Sequence, residues 1–362
     1  MQKDRNNITE LVRSAYEFNV EDSLDLSCLD GKTILITGGA SGFGEGFFRK
    51  WAEHNANVII GDVNAIKGKA LVEEVRAQTN NQNLHFLYCD VTKWQSQVDF
   101  FRDAAKLSPH AGIDAVVANA GIASDNPVFD NPAHDLGALS EPLSIDLKVV
   151  EVNLIGAMYT AHLAFHYLPL NPCPPHTSPG QDAPKRDRHL LLIGSVAGIA
   201  AFPGQVEYCV AKHGVTGLYR SLMCTAFTKG IRVNLIMPYF SDTPMLSTAL
   251  RAILAGTPVG KVDSIVDAGT RLMGSGVSGK ALVVGPDVKV DKSWTVLSDP
   301  SKDGKSVAIR EVYGQDFDAV DAFTLRYVKL MYQITILNGW RMWVCDMVAA
   351  LLHPFQAFWK RN

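Results

Sequence analysis

Several things that would place this chain quickly are missing from it. Its six cysteines, at 28, 89, 173, 209, 224 and 345, form no CxxC or CxxH spacing. Zinc sites and disulfide frameworks depend on such spacing, so no metal is expected and a reducing compartment, the cytoplasm, fits best. Lysine and arginine total 34 against 37 acidic residues, a formal charge of −3. Without a basic excess to neutralise phosphates, a nucleic-acid-binding protein is excluded. No block of like charge marks an interaction tail, and no fixed-period repeat is present. The first ten residues, MQKDRNNITE, are polar and lack the apolar centre of a secretory leader. The longest apolar run, ITILNGWRMWVCDMVAALL (334–352), is broken by Arg341 and Asp346. Charges at the middle of a span are costly, so this reads as an amphipathic or partner-packing helix.

What is there is an alternation. TILIT (33–37), NVIIG (57–61), LHFLY (84–88), IDAVVA (113–118), HLLLI (189–193), IRVNLI (231–236) and KALVVG (280–285) are short apolar runs separated by helical patterns. Strands that are apolar on both faces, with helices between them, predict a parallel sheet covered on both sides. The fold class expected is α/β, a Rossmann-type doubly wound sheet of about seven strands in the order 3-2-1-4-5-6-7. The chain divides into a polar N-terminal arm (1–30), one catalytic domain (31–290) and a mainly helical C-terminal extension (291–362). Six of the 17 prolines fall in PLNPCPPHTSPGQDAPKRDR (169–188), which must loop out because proline has no backbone donor.

The first strand runs into ITGGASGFGEG (36–46), where Gly38, Gly42 and Gly44 are spaced GxxxGxG before a helix. Glycines there permit a tight turn and a close approach of pyrophosphate to the helix N-terminus. Asp62 closes the second strand, 24 residues after Gly38. A carboxylate at that place accepts hydrogen bonds from the ribose hydroxyls and repels a 2′-phosphate, which favours NAD over NADP. Asp90, in CDV (89–91), suits an adenine contact, and NAG (119–121) suits close backbone approach to the adenosine side.

Together TGGASGFG, Asp62, NAG, Ser195 and YCVAK (208–212) resemble the short-chain dehydrogenase/reductase family over about residues 31 to 285. The stretch VEYCVAKHGVTGLYRSL is similar to its 15-hydroxyprostaglandin-dehydrogenase-type members. The resemblance implies a catalytic centre of Ser195, Tyr208 and Lys212, supported by Asn153. It implies cofactor contacts from Gly38, Ser41, Gly42, Phe43, Gly44, Asp62, Val63, Asp90, Val91, Asn119, Ala120, Gly121, Tyr208, Lys212, Pro238, Phe240 and Thr243, with Thr243 on the nicotinamide carboxamide. The chain departs from the family at Pro238, which is followed by Tyr239 where glycine is usual.

Tyr208 and Lys212 stand four apart and so share a helical face. A nearby ammonium and a positive nicotinamide ring both favour the phenolate, so the tyrosine pKa is expected to fall from its ordinary value of about 10. Tyr208 would then exchange the proton of an alcohol while hydride passes between carbon and NAD. Residues 239–275 are expected to cover the substrate, with Phe202, Tyr239, Phe240, Met245 and Leu246 lining a pocket for a hydrophobic secondary alcohol or its ketone. His134, His162, His166 and His189 lack ligand spacing and read as loop or helix-surface residues, as does His213. A homodimer or homotetramer is expected from the family. The aromatic-rich tail (317–359) suits intramolecular packing, subunit contact or peripheral membrane contact. The alternatives to a dehydrogenase are a redox-silent NAD-binding scaffold and an epimerase or cyclase on the same fold.

Overall fold

The computed structural model describes residues 23–123, 145–171, 186–291 apart from 201 and 203, 297, 303–312, and scattered positions of a helix between 330 and 344. His134, the first part of the N-terminal arm, the middle of the proline-rich insert and most of the C-terminal tail lie outside the described residues.

The alternation of apolar runs becomes β1 (Thr33–Thr37), α1 (Gly42–Ala52), β2 (Asn57–Asp62), α2 (Ala65–Thr79), β3 (Leu84–Tyr88), α3 (Trp94–Leu107) and β4 (Ala115–Ala118). After residue 145 a short helical turn (Lys148–Val150) and a π-helical turn (Glu151–Ile155) lead into α4 (Gly156–Tyr167). Then come β5 (His189–Ile193), α5 (Val206–Met223), β6 (Arg232–Pro238), α6 (Thr248–Ile253), α7 (Val262–Gly274), β7 (Ala281–Val290) and β8 (Lys305–Val312).

The strands form one sheet in the order β3-β2-β1-β4-β5-β6-β7-β8. All neighbours pair in parallel except β7 and β8, which are antiparallel. The seven expected strands stand in the expected order, and the region after residue 290 adds an eighth. Lys280, almost wholly buried, fixes that eighth strand through Glu311, with Nζ–O distances of 3.1 and 3.2 Å.

Successive residues of a strand point to opposite faces, so each apolar strand feeds two cores. Ile34 and Ile36 meet Phe47, Phe48 and Trp51 of α1 and Ile265, Ala268 and Leu272 of α7. Leu35 joins Phe100 and Phe101 of α3, Ala161 of α4, and Val215 and Tyr219 of α5 on the other face. Gly269 lets the Phe47 ring in, since a Cβ there would lie 2.3 Å from it.

The N-terminal edge of the sheet is closed by partly buried ion pairs. Asp187 Oδ2 lies 2.9 Å from Lys32 Nζ and 2.6 Å from Arg232 Nη2. Burial alone would raise the Asp187 carboxyl pKa, but Arg232 and Lys32 hold it well below the usual carboxylate range. Asn171 and Arg186, on either side of the proline-rich insert, both bond Asp114, at 2.6 and 3.1 Å. The insert is thus tied off at both ends, on the opposite edge of the sheet from the glycine loop. His189 is not a surface residue as expected: it is buried at the start of β5, with Nε2 2.9 Å from Asn234 Nδ2.

Candidate active site

The strand order reverses between β1 and β4, and open α/β sheets bind ligands at the C-terminal ends of such a pair. The glycine loop after β1 and Asn119–Gly121 after β4 meet there. Gly38 has a φ of +66°, and a Cβ on it would lie 2.7 Å from the Ala120 Cα. Gly42 has a φ of +57°. A Cβ on Gly44 would stand 2.3 Å from the Gly38 carbonyl oxygen. Asn119 locks this packing by donating from Nδ2 to the carbonyls of Thr37 (3.0 Å) and Gly38 (2.9 Å). The Asn119 and Ala120 amides both donate to Thr37 Oγ1.

Ser41 precedes α1 without capping it, whereas Asn64 caps α2 by accepting from the Lys67 amide. First-turn donors of α1 are therefore left for another acceptor, and the helix dipole favours an anion. Asp62 stands beside them at the end of β2. Its Oδ2 accepts from the Ala40 amide (3.1 Å) and its Oδ1 from the Asn64 amide (2.9 Å), so the carboxylate is oriented by backbone. Val63 is exposed beyond it. Asp90 turns one oxygen to the Thr92 amide and hydroxyl, at 3.0 and 2.8 Å. A glycine-lined turn, free helix donors and an oriented strand-end carboxylate are a donor set that suits a dinucleotide.

Tyr208 and Lys212 lie in the first half of α5, and Ser195 follows β5. Burial raises the Tyr208 phenol pKa above the ordinary tyrosine value, and the nearby Ser195 side chain opposes that rise only in part. Lys212 Nζ sits 5.6 Å from the phenol ring centroid and donates to the Ile193 carbonyl at 3.1 Å. Burial pushes its pKa down to about 8. The lowered phenol pKa expected from the sequence is therefore not found among these groups. The ammonium is itself desolvated and directed to a carbonyl, leaving burial as the dominant influence on Tyr208.

Asn153 is buried in the π-helical turn, where its amide donates to the Ile122 carbonyl and accepts from the Ile122 amide, both at 2.8 Å. An extra residue in one turn re-aims a side chain, which is how π turns serve sites. The side chain thereby braces the NAG strand end.

Tyr239, in place of the usual glycine, has no positive φ, so the position does not demand glycine. Pro238 places its carbonyl 3.5 Å from Ser195 Oγ. The Thr243 side chain lies across from Gly42, 3.7 Å from where a Cβ would be. Segment 239–275 separates into two parts. The loop brings Thr243 beside Gly42, while α7 packs against α1 in the core. Met245 is exposed and Leu246 half-buried, while the rings of Phe202 and Tyr239 both meet Phe240.

Reading the sequence missed the support of the loop. Arg251 pairs with Asp242 and donates to the carbonyls of Leu246 (3.1 Å) and Thr243 (2.9 Å), stapling the turn that carries Thr243. Its signal was a lone arginine in an apolar segment. Gly39 was also missed: a Cβ there would lie 2.4 Å from Ile60 Cβ. Among the described residues no group could hold a metal ion, and no helix is long and apolar enough to cross a membrane.

The family model for short chain dehydrogenases matches residues 32–253. A 5'-hydroxyaverantin dehydrogenase from Dothistroma septosporum is 33% identical over 78% of this chain and 92% of its own. Another of that name from Emericella nidulans is 34% identical over 78% and 93%. An NADP-dependent dehydrogenase from Cochliobolus lunatus is 31% identical over 71% and 88%. In fold, the chain is similar to a 3-ketoacyl-(acyl-carrier-protein) reductase from Brucella melitensis complexed with NADH, with a TM-score of 0.56 at 24% identity, covering 71% of this chain and 97% of that one.

Proposed function

Because the chain belongs to the short-chain dehydrogenase family, we propose that it interconverts a hydrophobic secondary alcohol and its ketone using NAD, with Tyr208 as the acid/base. The observation that carries this is the buried Lys212, whose Nζ lies 5.6 Å from the Tyr208 ring on one helix face, with Ser195 beside them at the end of β5.

A bound nicotinamide dinucleotide supplies the hydride acceptor in one direction and the donor in the other. Gly38, Gly42 and Gly44 admit its pyrophosphate to the uncapped start of α1, and Asp62 accepts from its ribose hydroxyls. Preference for NAD over NADP is supported by Asp62 and by the lack of a cation at Val63 or Asn64. Ser195 and Tyr208 both bond the substrate oxygen, which orients the carbinol carbon. In oxidation the Tyr208 oxygen takes the hydroxyl proton as the C–H bond breaks and the carbonyl forms; in reduction it returns that proton. Lys212 holds the nicotinamide ribose and, through its ammonium, favours the phenolate at the moment of transfer. Asn153 braces the floor of the site through Ile122. The apolar side chains Met158 of α4 and Val206 and Val210 of α5, all exposed, support a homo-oligomer.

The test is coupling. With a hydrophobic secondary alcohol, one reduced nicotinamide should form per ketone. Cofactor binding without any turnover across a broad alcohol panel would favour the redox-silent scaffold instead.

A further inference from the structure

Three large aromatic side chains at this site belong to neither core. Phe202 comes from the loop between β5 and α5, and Tyr239 and Phe240 follow β6. The Phe240 ring centroid lies 5.1 Å from that of Phe202, tilted by 45°, and 5.1 Å from that of Tyr239, nearly perpendicular at 89°. The two hydrophobic cores are filled by other residues, and none of the three is among them. Tyr239 is 37% exposed, and Phe202 and Phe240 are half-buried.

Both ends of this row are tied to the reacting centre. The Phe202 carbonyl accepts from the thiol of Cys209, the residue after Tyr208, at 3.6 Å. Tyr239 follows Pro238, whose carbonyl meets Ser195 Oγ. The backbone behind the row is held as well: the Tyr239 amide donates to the Val284 carbonyl at 2.7 Å, and the Phe240 carbonyl accepts from the Gly260 amide at 2.6 Å. Apolar rings on a held backbone that stay partly exposed cost free energy in water, which a ligand covering them would recover. Aromatic rings favour other rings in offset or edge-to-face contact at centroid distances of about 4.5–7 Å.

We propose that Phe202, Tyr239 and Phe240 form a stacking wall that selects an aromatic ring beside the reacting carbinol, so that the substrate is an aryl secondary alcohol or aryl ketone. This rests on the dehydrogenase reading above. Phe240 touches both other rings and is the specificity-determining residue; Phe202 and Tyr239 fix its tilt.

The experiment compares a naphthyl ethanol with its fully saturated decalinyl counterpart, which has a similar volume but no π face, using NAD and the full chain. Wild type should favour the naphthyl alcohol by about tenfold in kcat/KM, in line with the extra stabilisation of aromatic contacts. Phe240→Leu should reduce that ratio to about one to two, because the naphthyl rate falls more than the decalinyl rate. Equal rates in wild type, or an unchanged ratio in Phe240→Leu, would overturn the proposal. An equal loss on both alcohols with a raised KM for NAD would also overturn it, by assigning the wall to the cofactor. Binding of the two matching ketones, followed by tryptophan fluorescence, separates this from the parent reading. If no alcohol reacts, the dehydrogenase reading fails. A naphthyl ketone that binds more tightly than the decalinyl one, and loses that advantage in Phe240→Leu, would still uphold the wall.

Discussion

Replacing Asp62 with asparagine should open the protein to NADP, and the structure sets the size of the effect. The carboxylate stands at the end of β2, oriented by the amides of Ala40 and Asn64 at 3.1 and 2.9 Å. A ribose bonded to it would carry any 2′-phosphate to within roughly 5 Å. Two unit charges at that distance repel by roughly 2–3 kcal/mol at an effective dielectric of about 20–40. A phosphate carrying about −1.5 to −2 charge raises this, and solvent at a half-exposed site lowers it again, leaving about 3 kcal/mol. That corresponds to about a hundredfold preference for NAD in kcat/KM. Asp62→Asn removes the charge but keeps an oxygen for the Ala40 amide, so the loop should hold its shape. The ratio should fall to within about fivefold, mainly through a lower KM for NADP. Steady-state kinetics with both cofactors measures it. Equal use of NAD and NADP by the wild type would refute the reasoning, as would an unchanged preference in Asp62→Asn; the NADP-dependent relative makes either a real outcome.

Other perturbations follow from the same geometry. Gly44→Ala pushes a methyl to 2.3 Å from the Gly38 carbonyl and 2.7 Å from Asn119 Nδ2; it should destabilise the fold by about 1–3 kcal/mol and weaken cofactor binding, while Gly217→Ala, in open space on α5, should stabilise by about 1 kcal/mol. Denaturant unfolding and cofactor fluorescence read both. Lys212→Met should abolish turnover without loss of stability at neutral pH. Its pKa of about 8 lies below the unfolded value of about 10.5, so the burial penalty is fully present below pH 8 and is relieved as pH rises from there towards 10.5. Unfolding curves should therefore show the variant's relative stability falling between pH 8 and 10. Asp187→Ala takes the carboxylate from Lys32 and Arg232, which keep their bonds to the Met273, Leu272 and Val277 carbonyls, and should cost about 2–3 kcal/mol while sparing KM. The wild-type contribution of Asp187, whose pKa is depressed, is present above the unfolded carboxyl pKa and is lost only as pH falls well below it.

Most of the architecture was readable because it rests on local signals. The strands of a covered parallel sheet are continuous apolar runs, and Gly38, Gly42 and Gly44 mark a turn that needs positive φ at Gly38 and Gly42 and leaves no room for a Cβ at Gly38 or Gly44. The pattern Ser195, Tyr208, Lys212 brought together residues that the structure indeed places side by side. β8 was not read: KSVAIREV follows no helix, and its antiparallel pairing to β7 depends on a distant partner, Glu311 with Lys280. The Lys212 part of the phenol argument was incomplete, because a helix-face argument shows that Lys212 is near, not that its Nζ is directed to the Ile193 carbonyl. The aromatic row was half legible. Phe202, Tyr239 and Phe240 were expected in the pocket, but the contact of Phe202 with Phe240 joins segments 38 residues apart, a distance that no local pattern spans.

The measurement closest to the central claim is the rate of reduced-nicotinamide formation from NAD and an aryl secondary alcohol, for wild type and Tyr208→Phe, between pH 7 and 9. Because burial keeps the Tyr208 phenol protonated above the ordinary range, wild-type oxidation should accelerate with pH. Removing the phenol should slow it by about 10²–10⁴-fold and flatten the profile while leaving NAD affinity nearly unchanged. A Tyr208→Phe variant that turns over within a few-fold of wild type, with the same pH dependence, would contradict the account.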